Sequence, residues 1–342
     1  MDAYDVAVIG AGPIGLEMAV ALKRAGARHV HFDAGQIGAT VQWFAPQTRF
    51  FSSNERIAIA GMPLTTVDQA KASREEYLAY LRNVVTYFDL PVRTYERVTK
   101  IEPEGARFVL TSDRRGEVRR CAAERVILAT GGTDRPRRLG VPGEDLPHVS
   151  AYFQDPHTYF RQKVLIIGGK NSAAEAALRC HHAGAAVSLS YRREALPEKS
   201  LKYWIAPELR GLMEKGRIGS HLPTWVTAIT PTHVRLRCCT DDREYEVEAD
   251  FVLKLIGYEQ DNSLLKAAGI ELVGEQECPT FDEQTMETNV KGVYVIGTAT
   301  AGTQSGYRVF IENCHVHVDR VMAHLSGETR AIESPVYDRP ES

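Results

Sequence analysis

The chain has 342 residues, of which 44% are hydrophobic and 25% charged, with a formal net charge of −3. That balance excludes a disordered chain and gives no general nucleic-acid or polybasic membrane surface. The length suits two domains, no apolar run approaches the ~20 residues that span a bilayer, and no metal-ligand spacing is present. The opening MDAYDVAVIGAG enters a strand at once, without a basic segment or cleavage site. It therefore predicts no secretory leader and a cytoplasmic protein.

In chain order, the first unit is an apolar run (6–9), a glycine turn, an Ala-rich helix (16–26) and a short strand ending in Asp33. Continuous apolar runs suit parallel strands covered on both faces. Gly10, Gly12 and Gly15 form a complete G-x-G-x-x-G between strand and helix. Gly10 allows the turn, Gly12 lets backbone approach a pyrophosphate, and Gly15 lets the helix pack on the strand. Pro13 and Ile14 complete the loop, whose helix N-terminus favours anions. Asp33, followed by Ala34, is placed to bond a ribose hydroxyl. An aromatic stretch, VQWFAPQTRFF (41–51), follows. The segment ARFVLTSDRRGEVRRCAAERVIL predicts a hairpin turning at residues 113–116, then a buried strand (126–128). A glycine turn at Gly131 and Gly132 leads into a Pro-rich crossing.

The pattern returns as VLIIGGKNSAAEAALRCHHAGAAVSLSYRR (164–193), with departures. Gly168 and Gly169 open the turn, Lys170 stands where a second phosphate-facing glycine is usual, and Asn171, Ser172 and Glu175 begin the helix. Its second strand ends in Tyr191, Arg192 and Arg193, with no acid. Guanidinium forks pair with a 2′-phosphate that an acid would repel, so this unit is expected to take NADPH. Lys199 and Lys202 could extend the positive patch. A ribose-hydroxyl site beside an NADPH site points to a flavin enzyme with FAD in the first unit. A second hairpin-then-strand segment, a buried strand ending at Gly297 and a helix within GYRVFIENCHVHVDRVMAHLSG close the chain. Val309, Ile311, Val316, Val318 and Val321 are that helix's candidate apolar contacts. The fold class is α/β, with two Rossmann-like, doubly wound, three-layer nucleotide-binding domains. The six cysteines form no C-x-x-C and read as reduced thiols.

Over residues 4 to about 327 these features resemble the thioredoxin-reductase-like flavoproteins. FFSS (50–53), VPGEDLPHVS (141–150), GGKNSA (168–173), ETNVKGVYV and FIEN (310–313) resemble, more narrowly, the YpdA-type bacillithiol disulfide reductases. The resemblance implies FAD, NADPH, a homodimer and a role in low-molecular-weight thiol redox balance. It implies a discontinuous FAD domain (1–152 plus 258–330), an NADPH domain (153–257) and a C-terminal tail (331–342). FAD contacts are implied at Gln42, Thr48 and Ser52, at Thr130 and Gly131 of the ATGG turn, and at Gly297 and Thr298, where the family has Gly-Asp. Trp43, Phe44, Phe50 and Phe51 either wall the flavin or pack the core.

Two departures concern the electron exit. The chain lacks a C-x-x-C, and Ile14 stands where the YpdA-type proteins carry a first-loop cysteine. The chemistry is therefore flavin-centred, with a small disulfide reduced directly or through Cys314. That residue sits beside His315 and His317, which read as polar or interface residues. The alternatives are a ferredoxin/flavodoxin-NADP reductase serving a redox carrier protein, or a low-turnover NADPH/flavin redox sensor.

Overall fold

The structure is a computed structural model describing residues 1–197, 201–306, 308–328 and 331–334. Two compact units emerge. The first holds Met1–Trp43, Gln47–Arg135 and the return from Glu259, and the second holds Phe44–Pro46 and Pro136–Tyr258.

The first unit contains β1 (Asp2–Ile9), α1 (Pro13–Arg24), β2 (His29–Phe32), α2 (Arg74–Tyr87), β3 (Val92–Arg93), β4 (Arg97–Glu104), β5 (Arg107–Arg114) and β6 (Glu117–Leu128). The second contains β7 (Val149–Ser150), β8 (Lys163–Ile167), α3 (Asn171–His182), β9 (Ala186–Ser190), β10 (Gly219–His221), β11 (Thr224–Ile229), β12 (His233–Cys238), β13 (Glu244–Glu248) and β14 (Phe251–Lys254). After the return come β15 (Val293–Val295) and α4 (His315–Ser326).

Side chains alternate across β1, so Ala7 and Ile9 enter one core while Val6 and Val8 enter the other. On the second face, helical spacing brings Ile14, Met18 and Leu22 of α1 against Val318 and Val321 of α4. The first sheet runs β3-β2-β1-β6-β5-β4, with β15 also on β6. The expected hairpin strand and the expected buried strand prove to be one strand, β6. Its early residues pair antiparallel with β5, and Val126 to Leu128 pair parallel with β15. The hairpin turn lies where predicted, at Arg115 and Gly116, both with positive φ. The last helix starts later than the sequence suggests, at His315. Val309 precedes it and Ile311 lies in a separate 3₁₀ turn, because the Asn313 side chain accepts from Phe310 N and donates to Arg308 O at 2.8 Å each.

In the second unit the order is β10-β9-β8-β14-β7, all parallel. Ala173, Ala177 and Cys180 of α3 cover one face. The other face is covered by an antiparallel sheet, β11-β12-β13, through Val234 and Leu236. The third layer here is therefore a sheet.

The first chain crossing comes at Arg135, earlier than the expected 152, and the segment after it belongs to the second unit. Three contacts hold it there. β7 pairs with β14, a Cβ on Gly143 would lie 1.8 Å from the Ile229 oxygen, and Glu144 forms a buried ion pair with Lys254 at 2.7 Å. A hydrophobic pattern does not reveal which sheet a two-residue strand joins.

Candidate functional site

The first loop gives each glycine a different physical reason. Gly10 has φ +109°, and a Cβ there would lie 2.3 Å from the Ala129 oxygen. A Cβ on Gly15 would lie 1.9 Å from the Gly10 oxygen, so this glycine seats α1 on β1. Gly12, at the start of α1, has nothing within 4 Å of its Cβ position. The protein leaves that space open at a helix N-terminus with no side-chain cap, as a pyrophosphate requires. Gly12→Ala is therefore expected to leave folding stability unchanged and to lower retained flavin at least about tenfold. Gly10→Ala should instead lower the urea midpoint, because its clash is with backbone. Absorbance of the purified proteins and urea titration separate the two effects.

Asp33 braces the same loop. Its carboxylate accepts from Ala11 N at 2.6 Å and from Gly35 N at 2.7 Å, and its remaining lone pairs are free for a ribose hydroxyl. Burial raises its pKa against those two bonds. Ala34 beside it is exposed.

At the ends of β6 and β15 two turns interlock. Gly132 N donates to Thr298 Oγ1 at 3.0 Å, and a Cβ on Gly132 would lie 2.8 Å from the Thr298 oxygen. Thr298 therefore ties the turns together and retains a hydroxyl proton to donate. Thr130 Oγ1, next to Gly131, is buried without a protein partner. An orphaned buried hydroxyl beside an open helix N-terminus fits a polar ligand in this unit. Gly297 N donates to His317 Nδ1 at 3.1 Å. Burial, aided by Arg320 and His315, lowers the His317 pKa to about 4, so the ring stays a neutral acceptor. The sequence carried no signal for this support.

Several expected site residues are engaged in packing or in bonds within the protein. Ile14 is 5% exposed and packs into the core, its Cβ 3.4 Å from a Cβ position on Gly297. Only its backbone serves the loop. Cys314 is fully buried in the same core, and burial, with Glu17 nearby, pushes its thiol far above the usual range. It is a packing thiol, and its candidacy as a nucleophile fails on both access and ionisation. His315 holds Glu17 at 2.7 Å and the Arg56 oxygen at 2.8 Å. The Gln42 oxygen accepts from Arg74 Nε and Nη2 at 3.0 and 2.7 Å, while the Thr48 oxygen accepts from Arg74 N at 2.8 Å. These bonds fasten the aromatic loop to α2 by its backbone. Ser52 is 9% exposed. Phe50 packs on Tyr77 at 4.5 Å and Phe51 beneath Lys71 at 5.1 Å.

In the second loop Gly168 repeats the role of Gly10, with φ +142° and a Cβ position 2.4 Å from the Leu255 oxygen. Gly169 is required by a neighbouring side chain, since its Cβ would lie 2.6 Å from the Tyr191 ring. Lys170 takes the helix-start position in extended backbone, φ −105° and ψ −173°, which any residue can adopt. Burial and the charges of Arg137, Arg193 and Arg192 all lower its pKa. Four cations thus converge on the N-terminus of α3, and Arg192 and Arg193 are exposed. Arg137 was missed from sequence. Its N donates to the Gly257 oxygen at 3.0 Å and its Nε to the Tyr258 oxygen at 3.3 Å, beyond the end of β14.

Asn171 and Glu175 turn towards Lys202. Asn171 Oδ1 accepts from Lys202 N at 2.7 Å, and Glu175 accepts from Lys202 Nζ at 3.0 Å. Lys202 is accordingly buried in a structural pair and adds nothing to the surface patch. Ser172 is exposed at the helix start, and Lys199 lies outside the described residues.

Residues 7–297 match the family described as pyridine nucleotide-disulphide oxidoreductase. The chain is 36% identical over 323 residues to the bacilliredoxin reductase Bdr of Bacillus subtilis, covering 93% of this chain and 96% of that protein. It is 28% identical to a ferredoxin–NADP reductase of Ignicoccus hospitalis, covering 86% and 90%. Among solved structures, the bacillithiol disulfide reductase Bdr (YpdA) from Bacillus cereus superposes with a TM-score of 0.90 at 33% identity, covering 95% of this chain and 99% of that one.

Proposed function

The chain belongs to the pyridine nucleotide-disulphide oxidoreductase family, and we propose that it is an FAD-dependent, NADPH-linked reductase of a low-molecular-weight disulfide such as bacillithiol disulfide. The observation that carries the reading is the contrast between the two loops. One has an acid and an open glycine, and the other has Lys170, Arg137, Arg192 and Arg193. A free 2′-hydroxyl suits the first and a 2′-phosphate suits the second.

When bound, the cofactors supply hydride transfer from nicotinamide to flavin. The protein's part is binding and orientation. The α1 N-terminus and Gly12 receive the flavin pyrophosphate, Asp33 a ribose hydroxyl and Thr130 Oγ1 a polar atom of the same ligand. His317 fixes the Gly297 turn without adding charge. The four cations orient the second nucleotide.

Among the described residues, the two positions considered for a thiol relay supply none, because Ile14 stands at one and Cys314 is buried. On this reading the disulfide would be reduced at the bound flavin without a thiol at either of these two positions. Cys314→Ala is expected to leave turnover within about twofold, at a stability cost of about 1–2 kcal/mol for the cavity. A loss of turnover beyond tenfold at unchanged flavin content would return Cys314 to the mechanism. The same lack of a placed relay suits one-electron transfer to a carrier protein, the second reading, which the ferredoxin–NADP reductase relative supports. Anaerobic NADPH titration tests the shared first half: flavin that does not bleach refutes both readings. Turnover with bacillithiol disulfide, set against turnover with ferredoxin and flavodoxin, decides between them. The cytoplasmic location and homodimer expected from sequence are part of this proposal.

A further inference from the structure

Trp225, the second residue of the edge strand β11, carries an indole that is 52% exposed. The Arg192 guanidinium carbon lies over its ring, 5.7 Å from the centroid. Backbone bonds fix this meeting. Thr224 N donates to the Tyr191 oxygen at 2.9 Å, and Tyr191 N donates to the His221 oxygen at 3.2 Å. Thr224 Oγ1 donates to the His221 oxygen at 2.6 Å and stands 2.9 Å from Ser190 Oγ. The end of β9 is thereby stitched to the start of β11, and the next residue of each strand region, Arg192 and Trp225, must lie side by side. Arg237, opposite Trp225 in the β11–β12 register, is held by Glu244 at 2.8 Å and does not compete for the indole. Among the described residues Arg192 has no ion pair.

We propose that Trp225 is a positioning residue for nucleotide choice: its indole face holds Arg192 so that the guanidinium fork faces the 2′-phosphate of NADPH. A guanidinium donates its hydrogen bonds in plane, while its weakly hydrated faces stack on aromatic rings. Stacking therefore consumes none of the five donors. An arginine held before binding loses less freedom when phosphate arrives, and that difference appears as affinity. A bare 2′-hydroxyl gains little from the same fork, so the indole sharpens selectivity through its neighbour.

The inference rests on the NADPH assignment, and adenosine 2′,5′-bisphosphate and 5′-AMP separate the two, because they differ only in the 2′-phosphate. Calorimetric titration of the flavin-loaded protein should show the bisphosphate binding at least about tenfold tighter; equal binding would refute the NADPH assignment itself. Given that preference, Trp225→Ala should weaken the bisphosphate about two- to fivefold and leave 5′-AMP unchanged. The KM for NADPH should rise to match, with kcat unchanged. Trp225→Phe should restore most of the loss, whereas Trp225→Leu, which keeps apolar bulk without a π face, should not. Unchanged bisphosphate affinity in both Trp225→Ala and Trp225→Leu would overturn the proposal. An equal loss on both probes would also overturn it, by showing that the indole stacks on adenine.

Discussion

Replacing Arg192 and Arg193 together by alanine should raise the KM for NADPH by about a hundredfold and move the KM for NADH by less than about threefold. Both side chains are exposed at the end of β9, so salt screens part of their attraction. Two charge-assisted contacts to a doubly charged phosphate still exceed one power of ten each before screening. The loss should appear in KM alone, since these contacts are made equally in ground and transition states. Lys170 and Arg137 remain in the double variant and keep the common part of both nucleotides bound. Steady-state kinetics with the two nucleotides checks the expectation. If both KM values rise equally, the arginines do not read the 2′-phosphate.

The second large effect is on stability. Glu144→Leu should cost about 3–5 kcal/mol and lower Tm by about 10 °C, because it strands the Lys254 ammonium in the interior. The two side chains are 2% and 10% exposed. Glu144 also accepts from Leu139 N and Gly140 N at 2.8 Å each, so one carboxylate pins the whole crossing segment. Burial alone would raise its pKa, but the Lys254 ammonium and the two N–H groups outweigh burial and hold it at about 2. The sign follows from that depression. The contribution is complete above the ordinary value of 4.5 and is lost as pH falls towards about 2. The wild type should thus lose stability across that window more steeply than Glu144→Leu. Glu144→Leu with Lys254→Met should recover most of the loss, since an apolar pair of similar volume often matches a buried ion pair. Urea unfolding at pH 7 and at pH 3.5 reads both effects. A double variant no more stable than the single would show that the backbone bonds of Glu144, and not the stranded charge, dominate.

The first loop was legible because its constraints are local. Gly10 and Gly15 are fixed by a turn and by helix-on-strand packing, and each strand's period of two and each helix's period of 3.6 follow from the hydrophobic pattern. Arg192 and Arg193 could be placed for the same reason, since they follow a strand whose start was already placed, although that strand ends at Ser190 and not in the arginines themselves. That Asn171 and Glu175 bond to Lys202, and that Lys202 is buried and not part of a surface patch, was not legible, because a bond joining residues far apart in sequence leaves no local signature. The close approach of the Tyr191 ring to Gly169 likewise left no mark in the sequence.

The amino-acid sequence by itself determined the two repeated nucleotide units, their glycine turns and the chemical contrast between Asp33 and the arginine pair. These depend on neighbours within a strand-turn-helix, where geometry repeats whenever the pattern does. Only the tertiary structure decided that Ile14 and Cys314 share one dry core, that His317 supports Gly297, that Arg137 joins the cation cluster and that Trp225 lies under Arg192. Each of those depends on which strands lie side by side and which way a side chain leaves its helix. Burial then sets the chemistry, making an inert thiol of Cys314 and a neutral acceptor of His317.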